Sequence, residues 1–157
     1  ALRNSVTSWG KVMKLKILAV VMSLMPLPQV AVAQQVEQGA LLQQVYVLWG
    51  MMDGAANFCW EAANYDVAFM EAHQNWLANN VIVRDELDTT LAASGEAPTL
   101  AAESEAAGST GIVGILKQAT NPEEACSNWL RSTVAGDYDA EVYMAEQLGL
   151  LRERDGM

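Results

Sequence analysis

Between Val36 and Ala63 the apolar residues fall on two faces of a helix at once, and this constrains the fold more than any other stretch. Val45, Leu48, Trp49, Met52, Ala56, Cys59 and Ala63 recur at three- and four-residue steps, which places them on one side of a helix. Val47, Met51 and Phe58 fall on roughly the opposite side. A helix that is apolar on both sides must be covered on both, so it belongs at the centre of a bundle or buries its second face in a dimer. Gly50 and Gly54 are four residues apart and lower the helix propensity. Their compensation is that a neighbouring backbone can approach closely. The same spacing serves dimerising membrane spans, but Asp53 between the glycines and the surrounding Gln, Asn and Glu argue instead for a core helix.

The next segment repeats the pattern in simpler form. Asn64-Tyr65-Asp66 breaks the first helix, and Asn64 or Asp66 can cap a second one from about Val67 to Ala93. Phe69, Trp76, Leu77, Leu87 and Leu91 are expected inside it, and Glu71, Asn75, Asp85 and Glu86 outside. Ile82 is an outward-facing exception. Ser94-Gly95 followed by Pro98 supplies a stop. Residues 94–111 then read as the least structured part, a mobile segment with at most a short helix from Pro98 to Ala107. Ile112, Val113, Ile115 and Leu116 follow as a compact apolar turn or short helix.

Asn121-Pro122-Glu123-Glu124 is the clearest local signal in the chain. Asn at the N-cap, Pro at the first helical position and two glutamates behind it satisfy the free amides and the positive end of the helix dipole. The helix from Pro122 to Val134 puts Ala125, Cys126, Trp129, Leu130 and Thr133 on one face, and Gly136 ends it. A last helix restarts at Asp137-Tyr138-Asp139 and carries Arg152 and Arg154 near its end. Alternating β-branched runs are scarce throughout. The expected fold is all-α, a small bundle of four or five helices with one disulfide.

The N-terminal residues bear on the compartment. Residues 1–12 carry no clear pattern and read as upstream read-through. Residues 13–33 read as a signal peptide: Lys14 and Lys16, a short apolar core from Ile17 to Met25, Pro26 and Pro28, and small residues at Ala31 and Ala33. That apolar run is shorter than the roughly 20 residues a bilayer requires. Residues 34–157 are then a single domain, and no stable membrane insertion is expected once the signal is cleaved. Two cysteines in an exported chain read as one bond, Cys59 to Cys126, closing a loop worth about 4 kcal/mol in the chain-entropy account.

Charge narrows the function classes. After residue 33 the chain has five basic and nineteen acidic side chains, a formal charge of −14. Such a surface repels nucleic acid and favours a protein partner with a basic surface. No cofactor-binding motif, no catalytic set and no metal-ligand spacing stands out. The acidic clusters at Asp85-Glu86-Asp88 and Asp137-Asp139-Glu141 lack the glycine and full spacing of a calcium loop and read as helix caps and solvated faces. One polar track remains: His73, Asn80 and Arg84 lie at i, i+7 and i+11, within about 40° of each other on an otherwise apolar face. They could line a pocket in which Arg84 fixes a small anion and His73 handles a proton, or pair internally, Arg84 with Asp53, Glu61 or a late acidic residue. The expectation is therefore an exported, periplasmic or secreted, inhibitor- or immunity-like interaction protein. A small anionic-ligand binder built on that track is the alternative, and an unrecognised hydrolase the third possibility.

Overall fold

The computed structural model describes residues 29–155, with side chains described for 37–154. Residues 1–12 and the signal segment 13–33 thus lie outside the described residues, apart from the backbone of 29–33, which is helical. All regular structure among the described residues is helical: α1 Gln29–Ala62, α2 Val67–Asn79, α3 Val81–Ser94, α4 Leu100–Gln118, α5 Pro122–Ala135, α6 Ala140–Tyr143 and α7 Ala145–Asp155. The all-α class and the single disulfide are as expected. The expected count of four or five helices is corrected to seven, because two of the expected helices are each broken once.

α1 is the axis of the bundle and packs against α2, α3, α4, α5 and α7, most extensively against α4. Its expected inner face is buried at Val45, Leu48, Trp49, Met52, Ala56 and Cys59, joined by Leu42, Tyr46 and Ala55. Trp49 meets Trp76 of α2 edge-on, with ring centroids 5.2 Å apart, and Phe69 of α2 stacks on Trp129 of α5 at 6.3 Å. Each such ring pair adds about 0.5–1.5 kcal/mol beyond the area it buries. The second apolar face of α1, with Val47, Met51 and Phe58 half-buried, lies toward α4. No helix among the described residues is long and apolar enough to cross a membrane.

The glycines of α1 determine what covers that second face. A Cβ on Gly50 would sit 1.8 Å from the backbone oxygen of Glu105, and one on Gly54 would sit 2.7 Å from Ser109 Oγ. From the other side, a Cβ on Gly108 would sit 2.2 Å from the backbone oxygen of Val47. Only hydrogen fits in these gaps. The close backbone approach expected at Gly50 and Gly54 is therefore made, and its partner is α4. This corrects the expectation for residues 94–111, which was at most a short helix ending near Ala107: Leu100 to Gln118 form one 19-residue helix. Alanine, serine and glycine there do not mark a loop; they make a thin helix face.

Both breaks fall at buried residues. Asn80 separates α2 from α3 with φ −105° and ψ 11°. Its Nδ2 donates to the Trp76 oxygen at 2.8 Å, and its Oδ1 accepts from the Ala140 N–H at 2.8 Å. Met144 separates α6 from α7 with φ −116° and ψ 25° while its side chain stays buried. Leu77, expected inside, is 40% exposed, because the buried face of α2 is Phe69, Ala72, His73 and Trp76. Ile82 points outward as expected and is 77% exposed.

The helix ends follow local chemistry. Asp66 caps α2 by accepting from the Ala68 N–H at 3.0 Å, and Asn121 caps α5 by accepting from the Glu124 N–H at 3.2 Å. At the end of α1, Asn64 and Tyr65 take left-handed φ values of 52° and 67°. The Tyr65 N–H reaches back to the Trp60 oxygen at 2.7 Å, and its ring lies edge-on against Trp60 at 4.8 Å. This hydrogen bond and ring contact hold a bulky residue where glycine or asparagine is usual. Cys59 and Cys126 are joined, with Cα atoms 5.4 Å apart, and tie α5 to α1.

Candidate functional site

His73, Asn80 and Arg84 all lie on the inward side of α2 and α3, but they serve three separate contacts. His73 is 6% exposed and its ring lies nearly parallel to that of Trp76, 6.5 Å away. Burial lowers its pKa below the ordinary histidine value, and the Asp53 carboxylate of α1 opposes this only in part. The imidazole is therefore neutral at pH 7. Asn80 is 2% exposed and couples the α2–α3 break to the start of α6, with a longer contact to Asp139 Oδ1 at 3.4 Å.

Arg84 is the centre of a cluster that joins three helices. Its Nη1 lies 2.6 Å from Glu105 Oε1 of α4, and its Nε donates to the two Asp88 oxygens at 3.1 and 3.2 Å. The guanidinium carbon sits 5.0 Å from the ring centroid of Tyr46 and 5.8 Å from that of Trp49, both on α1. Tyr46 is fully buried and its hydroxyl donates to Asp88 Oδ1 at 2.7 Å. Burial would lower the Arg84 pKa, but Glu105 and then Asp88 outweigh it and raise it. Burial, followed by Asp88, raises the Tyr46 phenol. Glu105 Oε1 is itself buried, so the guanidinium beside it is what compensates its charge. At this site Arg84 is paired within the fold, by two carboxylates.

A second arginine does similar work on the other side of α3, at Glu86. Arg152 of α7 donates to both Glu86 oxygens at 2.6 and 2.8 Å, a bidentate pair. It also donates to both Glu141 oxygens, at 3.0 and 2.6 Å. Those bonds hold Glu141 below the usual carboxylate range and raise Arg152, with Glu86 the larger cause for the arginine. Arg154 pairs with Glu37 of α1. The two acidic clusters of the sequence are thus partly spent: Glu86, Asp88 and Glu141 face arginines, and Asp139 lies at the start of α6 near Asn80. Among the described residues no group of three or more His, Cys, Asp or Glu side chains is placed to hold a metal ion.

Tyr46, Trp49, Asp88 and Glu105 are the members of the Arg84 cluster that sequence reasoning did not bring to it. Asp88 was detectable, since it lies four residues after Arg84 and that spacing pairs charges along a helix. Glu105 was not, because nothing local shows that α4 lies against α1.

Two hollows border α4. One, of about 230 Å³, opens between α1 and α4 and is lined by Gly54, Asn57, Phe58, Glu61, Ser109, Val113 and Lys117. The other, of about 90 Å³, is more enclosed and mostly apolar, with Met51, Met52, Trp129, Tyr138 and Tyr143 among its walls. Neither is lined by His73, Asn80 or Arg84. An anion reaching Arg84 would have to compete with Glu105 and Asp88. No protein-family model, curated protein or solved structure matches this chain.

Proposed function

We propose that this is an exported protein, periplasmic or secreted, that acts by binding a protein partner with a basic surface, as an inhibitor or immunity-type protein does, and not by catalysis. One observation carries the reading. Of the five basic side chains after residue 33, Arg84, Arg152 and Arg154 are engaged by acids of the same chain. Most of the remaining acids among the described residues are exposed, in a field that attracts a basic partner and speeds its encounter. The disulfide fits an oxidising compartment.

The test is capture by the immobilised full chain from a periplasmic extract at low salt, followed by elution with salt. A basic protein retained at about 50 mM and released near 0.5 M is expected, since screening shortens the reach of exposed charges. Failure to retain any partner at low salt would overturn the reading.

The anionic-ligand alternative retains one supporting feature: the Arg84 side chain keeps 29% of its exposure while lying over two rings of α1. It requires a titration with inorganic phosphate or acetate to change tryptophan fluorescence saturably, and the response to vanish in Arg84→Met. A linear, unsaturable response would remove it.

A further inference from the structure

The smaller hollow has a composition suited to a particular guest. Its floor is Leu48, Met51 and Met52 of α1 with Ile112 of α4, and its wall is Trp129, Tyr138 and Tyr143. The rings are braced in advance: Tyr138 and Tyr143 meet edge-on at 5.6 Å, and Trp129 rests on Phe69. Tyr143 is 49% exposed, so a ring stands where the hollow meets solvent. The volume of about 90 Å³ equals roughly three waters, enough for a short methylene chain.

The aromatic wall and the acids beside it favour a cationic over an apolar guest. Neither a basic nor an acidic side chain lines the hollow itself, and Asp137 and Asp139 flank Tyr138 in the chain. Asp137, exposed beside Tyr138, acts on the Tyr138 hydroxyl, whose pKa is raised by burial first and then by Tyr143 and Asp137. Ring faces attract a cation, and a long basic side chain lays its methylenes on apolar surface while its charge stays at the edge. Methionines adapt their shape to such a stem. We propose that this hollow seats one lysine or arginine side chain of the basic protein partner. The proposal deepens the binding reading given above and rests on it.

The experiment follows the methionine methyl resonances of the full chain during titration with n-butylammonium, n-butylguanidinium and the uncharged n-butanol. Met51 and Met52 are expected to shift saturably with both cations and at least about threefold more weakly with butanol. Met70 and Met144 serve as internal controls. Tyr143→Ala is expected to weaken cation binding about threefold while leaving the melting temperature nearly unchanged, and Asp137→Asn to reduce the preference over butanol. Equal binding of butanol and the cations, or no shift at Met51 and Met52, would overturn the proposal. Retention of the basic protein partner on wild type and Tyr143→Ala separates the two ideas. Equal retention by both overturns the seat and leaves the binding reading standing, whereas no retention by wild type overturns the reading itself.

Discussion

α4 and α5 are both ordinary helices packed on α1, yet they are specified in opposite ways. α5 carries its instructions locally: Asn121 caps it, Pro122 starts it, Glu123 and Glu124 suit its dipole, and Gly136 ends it at φ 83°. Its buried residues, Cys126, Trp129 and Thr133, follow the helical period. α4 has no side-chain cap and a face of small residues in place of an apolar stripe, with Ser104 and Gly108 among its buried positions. It lies where it does because Gly50, Gly54 and Gly108 let two backbones touch. A helix can thus be specified by what it offers itself or by the space a neighbour leaves for it.

The largest test of this contrast concerns the covalent tie of α5. Cys126→Ala is expected to cost about 4 kcal/mol, by releasing a loop of 67 residues in the unfolded chain. Urea unfolding with and without the substitution measures it, and an unchanged midpoint would mean that the tie adds nothing. Next comes the interface that holds α4. Gly50→Ala places a methyl group against a main-chain oxygen, which cannot rotate away. A loss of about 3 kcal/mol is expected despite the better helix propensity of alanine. If Gly50→Ala proved stabilising, close backbone contact would not be what holds α4.

Asn121→Ala removes the local start signal of α5 and is expected to cost about 1 kcal/mol. A cost as large as that of Gly50→Ala would erase the distinction between the two helices. The smallest effect concerns the α2 face turned toward α1. The His73 pKa is lowered in the folded protein, so the unfolded chain binds the proton more tightly. The stability contributed by neutral His73 is complete above the ordinary histidine pKa and declines as pH falls below it. A comparison of wild type with His73→Gln between pH 7.5 and 5.5 should show the steeper decline in wild type. Parallel curves would place His73 in contact with water.

The same contrast explains how far the candidate site could be read in advance. His73 and Asn80 were expected inside from periodicity, and both are buried. Arg84 was expected beside a ligand or beside Asp53, Glu61 or a late acidic residue; its partner along the helix is instead Asp88 at i+4. Glu105, its other carboxylate, arrives from α4 and became a partner only when the glycines brought that helix close. Asn80 was read as a residue of one long helix, because its bond to the Ala140 N–H spans 60 positions and leaves no local trace.

The sequence by itself determined the helical class, the two-sided apolar pattern of α1, the cap of α5 and the pairing of Cys59 with Cys126. Each rests on periodicity, on groups a few residues apart, or on there being only two cysteines. Tertiary structure alone decided that α4 is a full helix, where α2 gives way to α3 and α6 to α7, and which carboxylates surround Arg84. Those outcomes depend on distances between segments far apart in the chain, where a missing Cβ or one buried amide selects the packing that local propensity leaves open.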